Sequence, residues 1–236
     1  MIKRILIVGN ESALTNAIES EAARRVETYT VALLSNRLSG DGAKIVQTRQ
    51  EKLSVESSAN QEQEEKGRIP LEWNPGSPIS ARTLIIAAEN RLEYINEAIL
   101  VCDPPSIRCA ASDLSMANVE VLVNDHIKSW FFLVKELAMH FRARGEGFLA
   151  LVYPEATSSR DDTADLLGPA ALAAFRSFTR GLLSAALNEP YFTLGFSGAE
   201  TGDEAGFAAF VFKQLDEENR RSNGKLYKYG KLGFFR

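Results

Sequence analysis

Two places in this chain carry residues whose types and spacing could do chemistry. The first is Gly9-Asn10-Glu11-Ser12-Ala13-Leu14-Thr15, which follows the apolar run Ile5–Val8 and leads into a stretch rich in Ala and Glu. A glycine closing a strand, with a hydroxyl opening a helix, brings the N–H groups of a helix N-terminus to where a phosphate can rest. Gly9, Ser12 and Leu14 are the candidate contacts. Arg37, just after the second apolar run, stands where a further phosphate is accommodated; an acidic residue there would bond ribose hydroxyls instead. The same residues also make a plain strand–turn–helix connection with a surface arginine. The second place begins at Tyr153 and runs through Glu155, Ser158, Ser159, Asp161, Asp162 and Asp165. With Asn124 upstream, Tyr153 is the candidate for proton transfer, although a phenol titrating near pH 10 needs a neighbouring cation to work at neutrality. An acidic loop of this kind also serves as a solvated surface.

Other chemistries find less support. His126 and His140 share one apolar helix and suit packing or capping better than metal ligation, and Cys102 and Cys109 give no dense zinc pattern, so no metal is expected. Neither a Gly-x-Ser-x-Gly elbow nor a lysine-bearing phosphate loop occurs. Tyr227 and Lys231 have helical spacing, but they fall in a final strand and the loop after it.

The elements that would position these residues alternate. Strands are expected at Ile5–Val8, Thr28–Leu34, Ile69–Trp73, Ala98–Cys102, Phe148–Val152, Tyr191–Phe196 and Lys225–Tyr229. Helices are expected at Ser12–Arg25, Ser80–Asn96 (with Ser80 as its N-cap), Met116–Arg142, Leu166–Asn188 and Gly206–Glu218. Pro169 falls in a first helical turn, where a missing N–H does little harm. The polar stretch 38–67 reads as an exposed helix with flexible ends or as partly disordered. This alternation implies an α/β, Rossmann-type doubly wound parallel sheet with helices on both faces, spanning 1–236 as one domain.

Composition agrees with such a core: 45% hydrophobic and 25% charged residues are ordinary for a globular chain of 236. A net charge of −4 supplies no basic field for nucleic acid or an anionic membrane. No apolar run reaches the ~20 residues of a membrane span. The short apolar start reads as a strand rather than an export signal, and with two cysteines a cytoplasmic location is expected.

The order of elements resembles the short-chain dehydrogenase/reductase family over essentially the whole chain. Val123-Asn124, Gly145-x-Gly147 before a strand, Ala170-Ala171-Leu172, and Ser222-Asn223-Gly224-Lys225-Leu226 followed by a strand each echo that family at corresponding places. The resemblance implies nicotinamide-dinucleotide binding and hydride transfer by Ser, Tyr and Lys. Here the residues depart from it. No Tyr lies between Tyr153 and Tyr191, and no Lys between Lys135 and Lys213. Matched on the glycines or on Ala170-Ala171-Leu172, Pro154 stands at the Ser, Asp165 at the Tyr and Pro169 at the Lys, leaving only Asn124 of the four. Ala13 and Thr15 replace two glycines of the nucleotide turn, Glu11 adds a carboxylate, Trp73-Asn74 replaces an Asp, and Asp103-Pro104-Pro105 replaces Asn-Ala-Gly.

The expectation is therefore a short-chain dehydrogenase/reductase-like protein without standard catalysis, acting as a dinucleotide-sensing, structural or regulatory homo-oligomer. The alternative is an active NADP(H)-dependent oxidoreductase on a small carbonyl or alcohol with atypical residues. If a dinucleotide binds, Arg37 favours NADP. The two long helices are apolar on more than one face, and in the family they join subunits, so a homodimer or homotetramer is expected.

Overall fold

The computed structural model describes residues 3–26, 28–34, 70–71, 73–106, 110–155, 165–198, 202–217 and 222–230. Arg37, the segment 38–67, Cys109, the loop residues Ser158, Ser159, Asp161 and Asp162, and Lys231 lie outside them.

The strands are β1 (Arg4–Asn10), β2 (Thr28–Leu34), β3 (Pro70–Leu71), β4 (Glu97–Val101), β5 (Phe148–Pro154), β6 (Phe192–Gly198) and β7 (Leu226–Tyr229). The helices are α1 (Ala13–Arg25), α2 (Pro78–Leu92), α3 (Met116–Val123), α4 (Ser129–Arg144), α5 (Gly168–Ala185) and α6 (Glu204–Asp216). All seven strands are parallel in the order β3-β2-β1-β4-β5-β6-β7. The doubly wound sheet is thus as expected. β1 and β4 are neighbours, with Gly9 in register with Val101, so the chain reverses its winding there. A crevice at such a reversal, at the carboxyl ends of the strands, is where this fold holds ligands.

Alternation along the strands divides the core. Ile5, Ile7, Ile99, Val101 and Phe196 face α1 and α6, which supply Leu14, Ile18, Phe207 and Val211. Leu6, Val8, Leu100, Leu151 and Tyr153 face α2, α4 and α5, which supply Leu84, Leu133, Trp130 and Phe175. β4 is buried at every residue, as a central parallel strand covered on both faces must be. Among the described residues, no helix is long and apolar enough to cross a membrane.

Two helix expectations need correction. α2 begins earlier than Ser80: Ser77 is the N-cap, accepting the Ser80 N–H on its Oγ, and Pro78 sits in the first turn. Ser80 instead accepts the Asn74 N–H at 2.7 Å, tying the preceding turn to the helix. The helix expected over Met116–Arg142 is two α-helices joined by a π turn, Asn124–Lys128, and ends at Arg144. Its wider loop is closed by the Ser129 N–H reaching Asn124 O, while Ser129 Oγ donates to Asp125 O at 2.6 Å.

Candidate functional site

The candidate site is the carboxyl end of β1 and β4, where α1 begins and Pro105, in the loop after β4, approaches Gly168 at the start of α5. Gly9 ends the apolar run of β1 because something must approach it closely: a Cβ there would lie 2.6 Å from Thr15 Oγ1 and 3.2 Å from Val101 Cβ. Thr15 is fully buried against it. The threonine at a family glycine position therefore fills the helix–strand interface instead of projecting toward a ligand. Leu14 is buried among the α1–α6 core residues, leaving only its backbone for any ligand.

Ser12 caps α1, its Oγ accepting the Thr15 N–H at 3.2 Å, and the Asn16 N–H reaches Ser12 O. The same hydroxyl donates to Thr15 Oγ1 at 3.2 Å, closing the turn on itself. Burial pushes the Asp103 carboxyl above its ordinary value, Ser12 pulls it back, and Glu204, first residue of α6, pushes it up again. Glu11 lies exposed in the same turn. Asn10, at the top of β1, is 7% exposed and its Oδ1 has no hydrogen-bond partner. Glu11 in the turn itself and Asp103 in the loop after β4 put carboxylates at this end of the sheet, which disfavours a pyrophosphate there.

The catalytic half is equally committed to other work. Asp165 Oδ1 accepts the N–H groups of Leu167 at 3.2 Å and Gly168 at 3.0 Å, so it caps α5. Gly168 allows close approach there; a Cβ would meet Pro105 O at 3.2 Å. Pro169 is exposed in the first turn. The positions matched to the family's Tyr and Lys thus cap and open the helix.

Tyr153 is buried on β5, its ring edge-on to Phe175 at 6.0 Å. Burial raises its phenol, and the positive charges of Arg176 and Arg180 on α5 pull it down. Arg176 is the partner that reading the sequence missed. Two arginines one turn apart on an apolar helix are the only local signal, and nothing local ties them to β5. Asn124 opens the π turn, where its Oδ1 accepts Lys128 Nζ at 3.0 Å and its side chain packs on Gly76 in the turn before α2. Asn124 and Tyr153 are held by different elements, and no hydrogen bond joins them among the described residues.

The remaining candidates are structural. His140 bonds Ile95 O at 3.2 Å and lies 2.8 Å from Glu89. Tyr227 stacks on Phe196 at 5.5 Å. The Cys102 thiol is buried, which pushes its pKa well up.

No protein-family model matches the sequence, and no curated protein matches it. Solved structures do. An NADH-dependent reductase, A1-R', complexed with NAD is 15% identical, covers 96% of this chain and 94% of its own, and superposes with a TM-score of 0.67. A short chain dehydrogenase from Burkholderia cenocepacia J2315 in complex with NADP gives 15% identity, 96% of each chain and 0.69. A short-chain type dehydrogenase/reductase from Mycobacterium marinum gives 12%, 96% and 93%, and 0.70. The chain has the fold of these proteins across nearly its whole length.

Proposed function

We propose that this chain is a non-catalytic protein built on the short-chain dehydrogenase/reductase fold, acting as a sensing, structural or regulatory homo-oligomer. One observation carries the reading. The start of α5, where this chemistry needs a phenol and an amine, holds a carboxylate that caps the helix and a proline in its first turn. Neither residue supplies what that chemistry uses: the Asp165 oxygen is engaged by two backbone N–H groups, and proline has no titratable side-chain atom. The similar structures hold NAD or NADP, so a nicotinamide dinucleotide is the natural ligand to test. We expect weak binding, with NADP(H) preferred on account of Arg37.

A second reading, an active NADP(H)-dependent oxidoreductase, draws on Tyr153 with its Arg176 partner. Against it, the phenol is raised despite two arginines, the reverse of the tuning a neutral-pH acid–base group needs. Purified protein incubated with NADPH or NADH and a panel of carbonyl compounds decides between them. No cofactor oxidation above background is expected. Sustained oxidation that is lost in Tyr153→Phe would establish the second reading.

A further inference from the structure

We propose that the amino end of the sheet carries a small-molecule site, a cavity floored by Glu97 that takes a primary alkylammonium ion of about five heavy atoms. It lies at the opposite end of the strands from the candidate site above and stands independently of the functional reading.

The cavity, about 130 Å³ in volume, forms where β4 and β5 begin. An apolar cavity of about 150 Å³ holds a benzene ring, which sets the size of the ligand. Backbone pairing fixes the walls. The Asn96 N–H donates to Arg4 O at 3.0 Å, Asn96 Oδ1 accepts the Arg4 N–H at 2.9 Å, and the Phe148 N–H reaches Asn96 O at 2.9 Å. Ile95 and Phe148 supply apolar surface. Arg144 and Glu146, joined at 3.2 Å, have side chains 33% and 56% exposed and form the rim. Glu97, its side chain 3% exposed, is the floor.

The charges say what would sit there. A chain of ion pairs runs from α1 to the cavity: Glu21 to Arg25 at 2.6 Å, Arg25 to Asp216 at 2.5 Å, Asp216 to Lys3 at 2.7 Å and Lys3 to Glu97 at 2.9 Å. The signs alternate, and the chain starts and ends on a carboxylate. At its outer end the exposed Arg24 meets Glu21 at 3.2 Å. At its inner end no cation follows among the described residues. Lys3 is shared between Asp216 and Glu97 Oε1, while Glu97 Oε2 is buried with no hydrogen-bond partner. Arg144, the other cation at the cavity, is directed to Glu146 and to the Tyr94 ring, 4.6 Å from its centroid. A buried carboxylate oxygen without a donor is costly, so the next member of the series is a cation with an N–H to give. A primary ammonium meets both needs, and its alkyl chain suits Ile95 and Phe148. A water molecule would bring the donor without the charge.

The experiment titrates n-butylammonium into the protein by calorimetry and thermal shift, up to 20 mM at pH 8.5, well above the ordinary range of a carboxyl. Two probes of the same heavy-atom count serve as controls: 1-butanol, which lacks the charge, and tetramethylammonium, which lacks the N–H. Wild type should bind butylammonium saturably, at one site, and at least tenfold more tightly than either control. Glu97→Gln, which keeps the shape and removes the charge, should weaken binding at least tenfold. Lys3→Met, which leaves Glu97 without its cation, should bind at least threefold more tightly than wild type and gain more in Tm from the ligand. No saturable binding by wild type overturns the proposal even if neither variant folds, and so does equal binding of either control. A folded Glu97→Gln with wild-type affinity, or a folded Lys3→Met without gain, overturns it too. NADPH oxidation with the carbonyl panel bears on the functional reading alone.

Discussion

At the residue scale, the least expected group is Glu97, a carboxylate at the start of the fully buried β4. Its Oε1 meets Lys3 Nζ at 2.9 Å, and its Oε2 has no partner. Burial raises the carboxyl, with Lys3 pulling it back. The Lys3 amine is lowered by burial but raised overall by hydrogen bonds to Asp216 and Glu97. The two shifts have opposite implications for the pair. Glu97 governs it, because its side chain is 3% exposed against 30% for Lys3. A carboxyl whose folded pKa lies above its unfolded value contributes stability that is present at low pH and lost as pH rises through the folded value. Glu97→Gln should therefore match or exceed wild-type stability at pH 7.5. Lys3→Met, which strands the carboxylate, should lose roughly 3 kcal/mol. Urea denaturation at pH 4.5 and 7.5 tests this; equal losses in both variants at pH 7.5 would refute it. Nothing in the sequence around Glu97 announces the pair, since Lys3 and Asp216 reach it only through the fold. Asp103, by contrast, was legible as a departure from the Asn-Ala-Gly of the resembling family.

At the scale of elements, the central strands were legible because buried parallel strands read as β-branched and Leu runs, and no strand end lies more than two residues from where it was expected. Helix starts were harder. Ser77 and Ser80 are equally good caps by type, and Pro78 in the first turn is the signal that separates them. The π turn left no local mark, because one extra residue in a helix changes its phase and not its composition. It does leave a thermodynamic one. His126, within the turn, is 5% exposed, its Nδ1 has no partner, and burial lowers its pKa to about 4. A depressed folded pKa means stability present above the unfolded value of 6.5 and lost as pH falls toward 4, by roughly 3 kcal/mol. His126→Gln should flatten the fall in Tm between pH 6.5 and 4; an unchanged slope would place the titrating group elsewhere. The α1–β1 contact gives a second check. Thr15→Gly restores a family glycine yet should destabilise by about 2 kcal/mol, from lost helix propensity and lost burial against Gly9. If that variant is as stable as wild type by denaturant titration, Thr15 does not do the packing assigned to it.

At the scale of the whole molecule, the sequence showed more apolar surface on its long helices than one sheet can cover. Much of it is absorbed within the chain: Leu133, Leu137, Leu172, Phe175 and Leu183 are all buried. Met116, Leu166 and Leu187 stay exposed near the ends of these segments, and the rest gathers on one seam. Phe131 on α4 is 48% exposed and packs on half-buried Phe178 of α5, with ring centroids 4.4 Å apart, and Met139, two turns along α4, is 54% exposed. Beside them α5 presents Ser177, Gly181 and Ala185 to solvent, and a Cβ on Gly181 would meet nothing within 4 Å. Large rings on one helix beside small residues on its neighbour form a surface that a second copy can pack against closely. We propose a two-fold homodimer, or a tetramer of such dimers, joined through α4 and α5. Lys135, exposed between Phe131 and Met139, must then lie at the rim, where its charge stays in water. Light scattering at micromolar concentration should report at least a dimer. Phe178→Asp should weaken association at least a hundredfold while leaving far-UV circular dichroism unchanged, since the side chain is only half-buried within its own chain. A monomeric wild type defeats the proposal, and a Phe178→Asp dimer of wild-type affinity moves the interface away from this seam.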